Sequence, residues 1–347
     1  MQKEDCKYMF RCLQLAKKGE YYVAPNPMVG AVLVMTTSDE TGNQKTFIIG
    51  EGWHQRFGES HAEVNCIREA ERRGYKDFSR CTLYVSLEPC SHYGKTPPCA
   101  GLIVSKGIRR VVVGMKDPNP LVAGKGIKIL RDAGIEVETG ILEKECRMLN
   151  RRFLCLQEKK RPYVILKWAE TADGYIDYER DMKNKNEIGR QLVISNQITK
   201  QLVHKMRAEN MSIMVGTRTA LLDNPSLRVT RWSGRNPIRI VLDRRGLIPE
   251  DYKVFTQDAQ TIVYKDNTDI RFVLNDLADK GIHSVLIEGG RCLLNHVIES
   301  GLWDEAHIEV ANKRIGSGVK SPLFPREGLK CERTIGGSRL YKLVRWK

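Results

Sequence analysis

No apolar run in these 347 residues approaches the roughly 20 needed to span a bilayer as a helix. No segment repeats at a short fixed period, and none is of low complexity. These absences set aside a membrane-helix protein, a solenoid and a fibrous chain. The first ten residues, MQKEDCKYMF, include acidic residues and have no apolar stretch, which speaks against a secretory signal. A cytoplasmic protein with no membrane partner is therefore expected. Hydrophobic residues at 41% and charged residues at 29% are an ordinary globular balance, so a largely disordered chain is excluded. The length suggests two domains.

The formal net charge is +15, divided as +4 over residues 1–150 and +11 over residues 151–347. Such an excess suits solvated surface lysine and arginine. It equally suits a phosphate-rich ligand or nucleic acid against the second half. Ten cysteines in a long chain without an export signal point to metal ligands or free thiols rather than disulfides. Cys12, Cys66 and Cys292 sit among apolar residues at helical spacing and read as core.

Strand and helix patterns alternate in both halves, the signature of layered α/β units. In the first half, residues 5–18, 61–73, 100–106 and 125–133 read as helices. Residues 31–35, 47–50, 82–87 and 110–114 read as strands. The basic stretch from Asn150 to Pro162 is weakly patterned and marks a boundary. The expected domains are residues 1–148 and 149–347. In the second half, strands are expected at 163–168, 213–215, 238–242, 261–264, 285–288 and 307–310. Helices are expected at 197–208, 270–280 and 291–299.

The sharpest motif is His61-Ala-Glu63, followed by Glu88-Pro-Cys90 and Cys99. One imidazole and two thiolates form a three-ligand zinc set with a fourth position open to water, whose acidity the metal raises. A carboxylate that moves protons without occupying the metal completes the chemistry, and Glu63 is placed for that. This is the nucleobase-deaminase signature. Eight residues, SHYGKTPP, separate the two cysteines where the generic pattern has two. Gly94-Lys-Thr96 is not a phosphate loop, because the required earlier glycine is Pro89. The inter-cysteine run, with Pro25-Asn-Pro-Met-Val-Gly30 and Lys116-Asp-Pro-Asn-Pro120, resembles the deaminase domain of the bifunctional RibD family of riboflavin biosynthesis. The resemblance implies a cytidine-deaminase-like three-layer fold and one zinc per chain. It implies a diaminopyrimidinone substrate carrying a ribosylamino 5′-phosphate, contacted by Asn26, His54, His92, Lys95 and Asp117.

The second half has no G-x-G-x-x-G after a strand, so a standard dinucleotide fold is not supported. Instead Val285-Leu-Ile-Glu288-Gly-Gly290 runs from a strand into a helix, where backbone amides could cradle a phosphate. A ligand-free tight turn reads equally well from the residues alone. Lys167 through Gly174, Met214 through Ala220, Leu222 through Leu227 and Asp243-Arg244 resemble the reductase domain of the same family. That implies a dihydrofolate-reductase-like fold, NADPH, and hydride delivery to the ribosyl C1′ to give a ribityl chain. By this resemblance Ala169, Thr219 and Asp223 contact the cofactor. The run Gly290, Arg291, Cys292, Leu293, Leu294, Asn295 and His296 wraps its phosphates. Lys167, Thr171, Arg207, Leu227 and Glu288 contact substrate. Arg244, directly after a strand, is the choice for the 2′-phosphate. Two positions depart from the family pattern. Val193-Ile-Ser stands where the family often has Trp-Ile-Thr. Thr230 stands where an arginine is common, leaving Arg228 and Arg231 both open as holders of the substrate phosphate. The expected partner is a small phosphorylated pyrimidine, not nucleic acid, and a homo-oligomer is compatible. A deaminase acting on tRNA or cytidine, with a basic second half, is the rival reading. The inter-cysteine loop and the absence of an aromatic–basic stacking pattern argue against it.

Overall fold

The computed structural model describes residues 2–38, 43–91, 98–119, 123–327 and 329–345. The chain divides into two compact units, Met1–Lys159 and Lys160–Lys347.

In the first unit the chain runs α1 (Gln2–Lys17), β1 (Gly30–Ser38), β2 (Gln44–Trp53), α2 (Ala62–Arg72), β3 (Cys81–Leu87), α3 (Cys99–Ser105) and β4 (Arg110–Met115). It continues through α4 (Lys125–Asp132), β5 (Glu136–Thr139), α5 (Glu143–Leu149) and α6 (Arg151–Lys159). The sheet order is β2-β1-β3-β4-β5. β1 is antiparallel to β2 and β3, whereas β3, β4 and β5 are parallel. Alternation along the strands divides their side chains between two faces. Ala31, Leu33, Leu83, Val85, Val111 and Val113 join Cys66, Ile67, Ala70, Ile103 and Leu130 from α2, α3 and α4 in one core. On the opposite face Tyr84 stacks on Tyr8 of α1 at 5.0 Å, and the Cys12 thiol donates to the Tyr84 carbonyl. The result is the expected three-layer arrangement.

Gly50 and Gly52 of β2 are glycine for a steric reason. A Cβ on Gly50 would run into the Cys66 carbonyl, and one on Gly52 into the Cys66 amide and Ala62 carbonyl. Their absence lets α2 lie directly on the strand, which fixes where its N-terminal His61 and Glu63 point.

The second unit runs β6 (Tyr163–Thr171), β7 (Tyr175–Asp177), α7 (Gln197–Ala208), β8 (Ser212–Gly216), α8 (Thr217–Asp223), β9 (Ile238–Leu242) and β10 (Thr261–Tyr264). Then follow α9 (Ile270–Asp279), β11 (Ser284–Ile287), α10 (Arg291–Ser300), β12 (Glu305–Ala311), β13 (Val319–Lys320), β14 (Lys330–Ile335) and β15 (Ser338–Val344). The large sheet has the order β10-β9-β8-β11-β6-β12-β15-β14. Its first six strands are parallel, and β15 and β14 add antiparallel at one edge. β11 enters between β8 and β6, and open parallel sheets bind ligands beyond the carboxyl ends of such central strands. One face is apolar: Val164, Leu166, Trp168, Val285, Ile287, Ala306 and Ile308 pack with Val273, Leu274 and Leu277 of α9 and Leu294 and Val297 of α10. On the other face Ile165, Ile213, Val215, Val241 and Leu286 are buried too, and polar side chains enter beside them, with His307 in register with Lys167 and Glu309 with Ala169.

Several expectations need correction. The stretch read as a basic boundary is helix α6, with Arg152, Leu154 and Cys155 buried. Its apolar positions are few and flanked by charge, which hid them. The division between units accordingly falls after Lys159 rather than after residue 148. Cys292 is exposed, not core, whereas Cys12 and Cys66 are buried. The hairpin β14–β15 was not expected, because the strand KCERTI is polar and almost wholly exposed at the sheet edge.

Replacing Gly52 by alanine should force α2 off β2. Overpacking of this kind costs roughly 1–3 kcal/mol, so the denaturant midpoint of the first unit should fall. An unchanged midpoint would show that the helix has room to move.

Candidate active sites

Three elements of the first unit deliver the metal ligands. His61 is the N-cap residue of α2. The first turn of that helix is tied to the end of β2, because the Asn65 side-chain amide donates to the Trp53 carbonyl at 2.9 Å. Cys90 lies just beyond β3, and Cys99 is the first residue of α3. The Sγ atoms of Cys90 and Cys99 lie 3.5 and 3.3 Å from His61 Nδ1. One donor atom from each residue lies within 4.8 Å of the other two, a spacing fit to close on a single ion. The Cys99 amide also donates to the Cys90 sulfur at 3.3 Å. The neighbouring Cys99 thiol, with His61 and that amide, pulls the Cys90 thiol down to about 4, against the effect of burial. Cys99 is raised in turn by Cys90 and by burial. The Cys99 amide and the His61 ring both lie where they favour the thiolate form of Cys90. The donor set of one imidazole and two thiols fits zinc.

Glu63, two residues into the same helix turn, is only 3% exposed. Burial pushes its carboxyl up to about 7, with the nearby His61 working the other way. A carboxyl poised near neutrality both takes and gives a proton, which general acid–base work requires. Beside it, the rings of His54 and His61 meet edge to face at 5.7 Å. His54 Nδ1 lies 3.1 Å from the Ser60 carbonyl, which can only accept, so that nitrogen carries the proton. Nε2 then accepts from the Asn26 side-chain amide at 3.1 Å. Burial lowers the His54 pKa and keeps the ring neutral. The Asn26 carbonyl oxygen is thereby oriented by a fixed partner. Asp117 caps its own loop, its Oδ1 accepting from the Asn119 amide at 2.8 Å. His92 and Lys95 lie outside the described residues.

In the second unit the expected residues gather at the carboxyl ends of β6, β8 and β11. Arg207 of α7 grips Glu288 with two parallel hydrogen bonds of 2.9 and 2.7 Å. Burial works to raise the Glu288 carboxyl, but Arg207, with Lys167 and His204 near, holds it below the usual carboxylate range. Thr219 Oγ1 accepts from the Gly290 amide at 3.1 Å, joining α8 to the turn before α10. The Arg291 Nε is buried without a hydrogen-bond partner among the described residues, as suits a group kept for an anion. Arg244 is exposed just past β9. Together, the glycine turn, the orphaned Arg291 donor and Arg244 fit a cofactor that carries phosphates.

Other expected contacts are already engaged. Thr171 donates to Asp173 at 2.6 Å and accepts from the Tyr175 amide at 3.0 Å, so its hydroxyl holds the β6–β7 turn. Leu294 is fully buried in the core. Asn295 accepts from the Leu323 amide at 2.8 Å. Cys292 and His296 are exposed on α10, with Leu293 partly buried against the core. Leu227 is buried with a left-handed backbone at φ 55°. Arg228 is paired with Asp258 at 3.0 Å, whereas Arg231 donates to the Gln197 side chain at 2.7 Å. Sequence reasoning missed Arg180, a buried hub. It grips Asp177, reaches Asp223 at 2.5 Å and donates to the Leu222 carbonyl at 3.0 Å. Asp177 is three residues away, but the partners that make Arg180 a hub, Leu222 and Asp223, are more than 40 residues on, and no local pattern announces them.

Residues 2–115 match the family described as the cytidine and deoxycytidylate deaminase zinc-binding region, and residues 162–343 match the RibD C-terminal domain. The chain is 37% identical to the riboflavin biosynthesis protein RibD of Bacillus amyloliquefaciens, covering 94% of this chain and 90% of that protein. It is 33% identical to RibD of Escherichia coli strain K12, covering 91% and 90%. Among solved structures, it is similar to a diaminohydroxyphosphoribosylaminopyrimidine deaminase/5-amino-6-(5-phosphoribosylamino)uracil reductase from Thermotoga maritima. The TM-score is 0.85, with 33% identity over 99% of each chain. RibD of Acinetobacter baumannii gives a TM-score of 0.85 at 31% identity, again over 99% of each chain.

The raised Glu63 carboxyl predicts a pH effect on the metal-free protein. A group whose pKa rises on folding adds stability at low pH and loses it as pH climbs, here between its ordinary 4.5 and about 7. Glu63→Gln removes that loss. In excess chelator at pH 8 the variant should be the more stable, by on the order of 3 kcal/mol. Urea midpoints measured from pH 5 to 8 should diverge in that direction. Parallel curves would mean that the carboxylate is well solvated.

Proposed function

The chain belongs to the RibD family, and from that premise we propose how its own residues divide the work of a bifunctional deaminase and reductase of riboflavin biosynthesis. The observation that carries the reading is the His61, Cys90 and Cys99 cluster with the buried Glu63 beside it. We assign the substrate as 2,5-diamino-6-ribosylamino-4(3H)-pyrimidinone 5′-phosphate, and cytoplasmic action follows from that soluble metabolite. No helix among the described residues is long and apolar enough to cross a membrane.

Zinc, held by His61, Cys90 and Cys99, supplies Lewis acidity toward water. Glu63 accepts the first proton that water gives up and passes it to the ring nitrogen, then carries the second, from the hydroxyl added to the ring carbon, to the departing amine, so that ammonia leaves and a ring carbonyl remains. The neutral His54 fixes Asn26, whose side-chain carbonyl oxygen accepts from the substrate ring. Asp117 accepts from ring donors, and His92 and Lys95 are the expected contacts of the phosphate.

NADPH supplies the hydride for the second reaction, which opens the ribosyl ring to a ribityl chain. Thr219, Asp223, Ala169 and the turn from Gly290 to His296 hold the cofactor, with Arg291 and Arg244 toward its phosphates. The Arg207–Glu288 pair and Lys167 orient the sugar, and Leu227 packs against substrate. Arg231 is the better holder of the substrate phosphate. Arg228 is neutralised by Asp258, whereas Arg231 has no carboxylate partner among the described residues.

Pure protein given the diamino substrate should release ammonia without NADPH and form the ribityl product only with it, by mass analysis. Glu63→Gln should keep one zinc per chain while deamination falls roughly 10²–10⁴-fold. Ammonia release near the parent rate would remove Glu63 from the mechanism.

Arg231→Ala should raise the reductase KM for the deaminated substrate at least tenfold, a loss of about 1.4 kcal/mol. Arg228→Ala should change it less than threefold. The reverse pattern would reassign the phosphate to Arg228.

A further inference from the structure

Glu88 is almost wholly buried, yet it is neither a metal ligand nor part of the apolar core. Its Oε1 accepts from the amides of Gly126 and Ile127 at 3.0 and 3.2 Å. Its Oε2 accepts from the amides of Gly124 and Asp117 at 3.0 and 3.1 Å. Four backbone donors therefore converge on one carboxylate. Its own amide donates to the Met115 carbonyl at the end of β4, at 2.9 Å.

Two of these donors are the second and third residues of α4, whose amides an N-cap side chain ordinarily takes. The residue at that cap position is Gly124, with φ 78° and no side chain to offer. Glu88 thus caps α4 from the end of a separate strand. The contact is tight, since a Cβ on Gly126 would collide with the Pro89 carbonyl. Pro89 stands between Glu88 and Cys90. The turn that presents Cys90 is therefore clamped against α4 on one side and the Asp117 loop on the other.

We propose that Glu88 is a positioning residue of the deaminase: its carboxylate locks the Cys90 turn to the loop bearing Asp117, so that metal ligand and substrate loop hold one fixed geometry. The proposal rests on the zinc-deaminase reading. It requires a carboxylate in particular. Glutamine would keep one acceptor oxygen but turn an NH2 group toward two buried N–H donors, which repel it.

The test uses the full-length chain loaded with cobalt(II), whose thiolate charge-transfer and d–d absorption bands report ligand geometry. In Glu88→Gln those bands should shift, and zinc should pass to a chelator at least tenfold faster. Deaminase kcat/KM should fall at least tenfold. NADPH-dependent reduction of the deaminated compound should stay within twofold, which verifies the second unit, and a cooperative melting transition of the first unit verifies that it is folded. Gly126→Ala leaves the carboxylate in place but pushes α4 from Pro89, and it should shift the same bands. A Glu88→Gln protein with a lower melting temperature but unaltered bands, zinc release and deaminase constants overturns the proposal. If that variant does not fold, unaltered bands in Gly126→Ala overturn it instead. A wild-type chain without thiolate–cobalt bands overturns the zinc reading itself, and the proposal with it.

Discussion

A charged group taken out of water persists only where its partners are fixed beforehand, and the ends of the central strands in both units are built around such groups. In the first unit, Glu88 is satisfied by amides from two separate segments. At the opposite end of the same strand pair, buried Asp5 accepts from Tyr84 at 2.8 Å and from Arg110 at 2.9 and 3.2 Å. These carboxylates make the placement of β3 and β4 nearly non-negotiable, because any slip would orphan several donors at once. Glu63 is the exception. It is buried with little to hold its charge, and its raised pKa is the consequence. The contrast is one of partners: Glu88 and Asp5 are each met by several fixed donors, and burial acts on Glu63 without such a set.

The second unit applies the same constraint with arginine. Arg239 has no exposed surface, and its guanidinium serves Asp258 and the carbonyls of Ser226, Val254, Thr256 and Ala259. Arg161 pairs with buried Asp304 at 2.5 and 2.8 Å. Arg180 and Arg207 are similarly committed to Asp223 and Glu288. Removing one partner of such a pair typically costs about 3–5 kcal/mol. The +11 of this half therefore overstates what is available to a ligand, since several of its arginines are consumed inside the fold. Net charge counts cations; only burial and pairing say which remain free.

Legibility in the sequence followed the range of the interaction. The zinc set was readable because its residues sit within short spacings and have few other reasons to occur together. Strands such as Ile238–Leu242 and the helix Gln197–Ala208 were readable from apolar periodicity, and the structure places them within the expected bounds. Helix α6 and the β14–β15 hairpin were not, because charged and polar residues dominate there and packing supplies the order. Glu88 looked like part of a motif, but its four partners lie up to 39 residues away. Arg180 lies 43 residues from Asp223, and no local pattern announces that pairing. Cys292 was misread because helical spacing among leucines does not say which side of the helix faces out.

The difference in motif strength between the two halves has a physical origin. Metal chemistry needs particular donor atoms, so it leaves rare residues in the sequence. Hydride transfer needs orientation above all, and orientation is held by backbone shape. The segment from Asp223 to Arg228 illustrates this. Asn224 and Leu227 both adopt left-handed backbone, at φ 41° and 55°. Leucine in that region is unfavourable by roughly 1–2 kcal/mol, so the surroundings must hold it there. The Asn224 side chain accepts from the Lys253 amide at 2.8 Å, and Arg239 donates to the Ser226 carbonyl at 3.0 Å. The buried arginine thus fixes the loop on which the expected cofactor and substrate contacts stand. Its charge has been used to hold a backbone shape, and that shape, more than any reactive side chain, is what this half contributes to its reaction.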